Sequence, residues 1–116
     1  MEITQEQIAE WKAKHGEVWL IEVAEEPIDF ESSMVVTTIE AGQPTAKGYL
    51  RKPSTKEQSF AYAKMQDSAV ACGEFLLKQC WLAGDERLKD HPSFKLAAAS
   101  QAAALAELRV AKIKKL

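Results

Sequence analysis

Few residues in this 116-residue chain have side chains suited to chemistry. Cys72 and Cys80, with His15 and His91, are the only candidates for a thiol nucleophile or a neutral-pH general base. A cysteine nucleophile needs a base such as His15 or His91 beside it, and neither cysteine stands in a protease or redox pattern. The two thiols lie eight residues apart in a segment that reads as helix, a rise of ~12 Å and beyond the reach of an undistorted disulfide. They read as buried thiols in a reducing compartment. Asp85 and Glu86 follow Gly84 as an acidic pair, but a calcium loop needs several oxygen ligands at alternate positions, so a turn or helix start is expected there.

Glycines 16, 42, 48, 73 and 84 are dispersed, which excludes a phosphate-cradling loop or a dinucleotide fingerprint. Lys47, Arg51, Lys52 and Lys56 gather near Tyr49 and the helix start beyond Ser54, a weak basic patch better suited to the charged rim of a protein contact than to an anion site. No residue is therefore assigned to catalysis, to a cofactor or to a metal, and the chain is expected to be no enzyme.

Composition points the same way. Hydrophobic residues make up 47% and charged residues 28%, the balance of a folded globular protein, and the length suits one domain over residues 1–116. Fifteen basic against 17 acidic residues give a net charge of -2, which disfavours nucleic acid as the main ligand. No apolar run reaches the ~18 residues of a membrane span, and the start of the chain is not that of a signal peptide. A cytoplasmic protein, without membrane attachment, is expected.

The elements that must position these residues follow from caps and periodicity. Thr4 and Gln7 form a capping box, Ile8 and Trp11 repeat at helical spacing, and Gly16 supplies a left-handed stop. Val18 to Val23 is rich in strand formers, as are Met34 to Ile39 and, after the Gly42 and Pro44 turn, Lys47 to Arg51. The segment between the first two, Ala24 to Ser33, is acidic and holds Pro27. Pro53 ends the third strand, and Ser54 with Glu57 forms a second capping box. Asp67 is placed to cap the next helix, which runs to Cys80 and is slightly weakened by Gly73.

Trp81 to Asp85 reads as a transition into a turn, and Glu86 to His91 as a polar connector with one helical turn at most. A last helix is expected from Ser93 through the alanine-rich stretch to Lys112, Lys114 and Lys115, whose charges suit the helix dipole. Leu105, Leu108, Ile113 and Leu116 recur near one stripe of it, and its terminal turns are free to meet another chain. The expected fold is α+β: a short N-terminal helix and a small antiparallel meander of about three strands packed against a helical C-terminal half. Trp11, Trp19, Trp81, Phe60, Tyr62, Phe75 and Phe94 supply most of the large apolar area, for the core or for interface anchors.

Three stretches carry a resemblance. They are Ile3-Thr4-Gln5-Glu6-Gln7-Ile8 with Trp11-Lys12-Ala13-Lys14-His15-Gly16, then Tyr49-Leu50-Arg51-Lys52-Pro53-Ser54, and Leu76-Leu77-Lys78-Gln79-Cys80-Trp81-Leu82-Ala83-Gly84-Asp85-Glu86. Together with the closing Lys112-Ile113-Lys114-Lys115-Leu116, this order of segments resembles small phage and prophage proteins of Bacteroidetes mobile elements, of the tail assembly chaperone kind. The chain departs from such relatives in an extra arm over residues 27–48 and in a less acidic connector over 87–94. The resemblance implies a non-catalytic protein that holds tape-measure or tail-tube subunits soluble during tail assembly, with homo-oligomerisation left open. The alternative is a virion structural part, such as a minor tail or head-tail connector protein. Tyr49, Arg51 and Pro53, with Leu105, Leu108, Ile113 and Leu116, are the partner-binding candidates.

Overall fold

The computed structural model describes residues 3–35, 38–106, 109 and 111–116. Helix α1 (Gln5–His15) starts at the Thr4 and Gln7 capping box and ends at Gly16, whose φ of 86° lies in the region that favours glycine. The chain then forms β1 (Val18–Ala24), an arm over 25–44 that carries the single turn α2 (Phe30–Ser33), and β2 (Thr45–Arg51). Helices α3 (Thr55–Met65) and α4 (Ala69–Cys80) follow, and α4 runs without a loop into β3 (Trp81–Gly84). A turn α5 (Arg87–Asp90), helix α6 (Pro92–Ala102) and a 3-10 turn over Ala103–Leu105 complete the order. This is the expected α+β class: three antiparallel strands, a short N-terminal helix and helices in the C-terminal half. Among the described residues, no helix is long and apolar enough to cross a membrane.

Two elements differ from the sequence expectation. Of the strand expected over 34–39, Met34 and Val35 form a turn, residues 36 and 37 lie outside the described set, and Thr38 and Ile39 join no strand. The third strand is instead Trp81–Gly84, and β2 is the middle of the sheet. Position along the helical body decides this: α4 delivers Trp81 alongside Leu50, whereas the described residues of the β-branched 34–39 run have no strand beside them. The last helix also stops early, at Ala102, and Ile113 and Leu116 belong to no helix. Alanine propensity carries the helix through 96–102. Beyond it Ala106 turns extended, with its own side chain buried, and the Gln58 amide donates to the Leu105 carbonyl at 2.8 Å, tying the chain to α3.

Smaller corrections fall at helix starts. Ser68, not Asp67, caps α4, its hydroxyl accepting from the Ala71 N–H. His91 caps α6 through Nδ1, which accepts from the Ser93 N–H at 3.2 Å, so that helix begins at Pro92.

The core lies between the sheet and the helices. On β1 and β2, Trp19 pairs with Leu50, Ile21 with Gly48 and Val23 with Ala46, and this face meets α4, α5 and α6. Leu50, Leu76, Leu77 and Leu88 are fully buried at its centre, each contributing roughly 1.5–3 kcal/mol of burial free energy. The opposite face carries Leu20, Glu22, Tyr49 and Arg51, with Trp11 of α1 stacked at 5.7 Å on Tyr49.

Helices α4 and α6 cross at close range, because a Cβ on Gly73 would lie 1.6 Å from the Ala99 carbonyl oxygen. Gly73 thus serves packing, and Ala98, Ala99 and Ala102 provide the matching shallow surface. A polar clamp joins the other elements. The Arg51 guanidinium donates to both Glu57 carboxylate oxygens, at 2.7 and 2.8 Å, and to the Gln79 carbonyl, at 2.8 Å, linking the end of β2 to the start of α3 and the end of α4.

Two outcomes test this packing. Gly73→Ala should destabilise the fold by about 2–4 kcal/mol although alanine is the better helix former, since the overpacking outweighs the ~1 kcal/mol of propensity gained; chemical denaturation reads it. The Arg51 guanidinium beside Glu57 holds that carboxyl at about 2 against its ordinary 4.5, so the stabilisation is complete above 4.5 and is lost as pH falls toward 2. Glu57→Gln should lower stability at neutral pH by about 1–2 kcal/mol, after discounting for residual solvent contact, and the gap to the wild type should close between pH 4.5 and 2 in melts.

Candidate protein-binding groove

Most of the groups singled out for chemistry are engaged in structure; His15 stands half-buried at the end of α1. Cys72 and Cys80 are buried, and burial pushes the Cys80 thiol up to about 11 and raises Cys72 as well, so both stay protonated at neutral pH. His91 caps α6 and meets the Phe94 ring edge-on at 5.2 Å. Asp85 is bound by the Arg87 guanidinium, and Glu86 pairs with Lys89 at 2.9 Å. Among the described residues, no group of three or more His, Cys, Asp or Glu is placed to hold a metal ion.

The partner-binding candidates are dispersed. Tyr49 packs on Trp11, Arg51 is committed to Glu57 and Gln79, and Pro53 is buried. Tyr49 stands in the middle strand of the sheet, between β1 and β3. Leu105 is half-buried beside the core, Ile113 and Leu116 are exposed beyond it, and Leu108 lies outside the described residues.

A large concavity lies elsewhere, between β1 and α6. It measures about 1100 Å³ and is bounded by Trp19 and Val23 on the strand, Ala97 and Ala104 on the helix side, and Ile28 and Ile39 from the arm. Among the described candidates, Leu105 alone reaches it. Its shape follows from residue size: Ala97, Ser100 and Ala104 are too small to fill the space between helix and strand. Arg87 fixes one end of it. The guanidinium donates to Glu25 at the foot of β1 and to Asp85, and lies 4.6 Å over the Phe94 ring. These contacts lower the pKa of both carboxylates, through the Arg87 hydrogen bonds first.

The groove also exposes a strand edge. Every residue from Trp19 to Ile28 lines it, so the main chain itself forms one wall. At the two ends of β1, Lys52 N–H donates to the Glu17 carbonyl and Glu25 N–H to the Pro44 carbonyl. By alternation, Val18, Leu20, Glu22 and Ala24 direct their main-chain groups away from β2, toward the open side. No strand pairs there among the described residues. Along the groove Trp19, Leu20, Ile28 and Ile39 are exposed, and elsewhere on the arm Phe30, Met34 and Val35 are exposed too, Phe30 and Val35 by about 80%.

Charge gives the groove a sign. Between positions 16 and 46 the chain has seven acidic residues and no lysine, arginine or histidine, and Glu22, Glu25 and Glu26 line the wall. That asymmetry was available in the sequence and marks the surface better than the basic patch near Tyr49. The exposure of Trp19 was not available, since a strand rich in apolar residues reads equally as covered.

Ser100→Trp, at an exposed groove position, should leave stability within about 0.5 kcal/mol and abolish binding of an apolar fluorescent dye. A stable variant that still binds the dye in full would place the apolar site elsewhere. Compared with known proteins, the chain matches no family model, no curated protein and no solved structure.

Proposed function

We propose that the chain is a non-catalytic binding protein that sheathes an apolar segment of another protein between β1 and α6. The observation that carries this is the coincidence of an open strand edge, an unfilled apolar groove and exposed apolar side chains on the adjoining arm. An isolated exposed leucine would mean nothing, but clustered large apolar groups beside an unpaired edge are a liability that proteins cover or use. An extended segment added to β1 would gain main-chain hydrogen bonds from the edge and specificity from pockets such as the one beside Trp19.

The resemblance to phage tail assembly chaperones supplies the setting: a protein that keeps tape-measure or tail-tube subunits soluble and leaves before the tail is finished. Aggregation-prone tail subunits carry the apolar segments such a groove would shield. In this setting the 27–48 arm, the part by which the chain departs from such relatives, supplies two of the groove-lining apolar residues, Ile28 and Ile39.

Co-expression with a tape-measure fragment tests it. The fragment should become soluble and co-purify with the chain, Trp19→Ala should reduce the yield several-fold, and the protein should be missing from purified particles. A fragment equally soluble without the chain, or indifference to Trp19→Ala together with Ile39→Asp, would count against the reading.

A further inference from the structure

The groove has a matching segment within this same sequence. Residues 111–116, Ala-Lys-Ile-Lys-Lys-Leu, follow α6 without helix or strand, and all six are exposed, Ile113 by 97%. They stand clear of their own body, in a molecule whose radius of gyration is 15.9 Å, where a compact chain of this length would give about 13 Å. The segment carries three lysines, no acid, and two bare apolar side chains. The groove is lined by apolar Trp19 and Val23 on one face of β1, by Glu22 on the other and by Glu26 past the strand end, in a stretch without a single basic residue. Sign and apolarity are therefore complementary on both sides.

Length agrees as well. Six extended residues span ~20 Å and the seven of β1 ~23 Å, and 111–116 contains neither proline nor glycine, so no N–H that a ladder would use is missing. We infer that residues 111–116 of one copy add as a strand to β1 of a second copy. By alternation Lys112, Lys114 and Leu116 fall on the face of Leu20 and Glu22, and Ile113 with Lys115 on the face of Trp19 and Val23. Exchange in both directions gives a closed two-fold dimer. The inference rests on the groove proposed above as the partner site, and it adds a consequence: an incoming partner must displace the segment, so the free protein keeps its apolar edge covered.

Sedimentation of the full chain tests it with charge reversals at exposed positions. The wild type should dimerise with concentration, less strongly as salt rises. Lys112→Glu/Lys114→Glu/Lys115→Glu and, separately, Glu22→Lys/Glu26→Lys should each weaken the dimer by about tenfold or more. An equal mixture of the two variants should recover it, because the acidic segment then meets a basic groove and the basic segment an acidic one. Glu22 lies only 3.9 Å from exposed Lys47, a pair too weak for its loss to threaten folding.

A wild type that stays monomeric at millimolar concentration overturns the inference, whether the segment is free or folded onto its own groove. So does a dimer indifferent to both reversals. The groove reading is judged separately: if the lysine-reversed chain still solubilises the tape-measure fragment and Trp19→Ala does not, the groove stands and only self-exchange fails.

Discussion

The crossing of α4 over α6 is the constraint from which the remaining geometry follows. With no side chain at Gly73, the Ala99 main chain approaches the axis of α4, and α6 is held there by a face of alanines. A helix this poor in side-chain volume cannot fill space on its other side. Where α6 turns toward β1, its small residues leave a trough instead of a core. Close packing on one face and an open groove on the other have one compositional cause.

The two arginine clusters then set the frame. Arg51 joins β2, α3 and α4 through Glu57 and the Gln79 carbonyl, and Arg87 joins the end of β1 to the α5–α6 corner through Glu25, Asp85 and Phe94. The first is sheltered enough to shift Glu57 strongly; the second is exposed, and its value is geometric, keeping the strand edge and the helix at a fixed separation. Rigid walls matter for a binding groove, because ordering them on contact would subtract from affinity.

Much of the fold was legible wherever a local rule decides. The capping boxes at Thr4 and Ser54 and the stop at Gly16 mark α1 and α3 by short-range hydrogen bonds that sequence spacing encodes directly. The third strand was not legible, because Trp81–Gly84 has weaker strand character than Met34–Ile39 and is chosen by what α4 brings next to β2. The end of α6 was not legible either. No glycine or proline stands there, and the Leu105 carbonyl past the helix end is taken up by Gln58, 47 residues away in sequence. For the site, the acidic bias over 16–46 could be read in advance, whereas Tyr49 and Arg51 looked interactive for the same reason they are structural: aromatic and guanidinium groups serve clamps as well as interfaces.

The open edge of β1 is the feature on which the functional interpretation turns, and amide hydrogen exchange with a bound partner segment probes it most directly. The amides of Val18, Leu20, Glu22 and Ala24 point away from β2 and should gain protection on binding, while those of Trp19, Ile21 and Val23 are already protected. Saturating partner that leaves these four amides unchanged, with protection arising instead along β3 or α3, would contradict it.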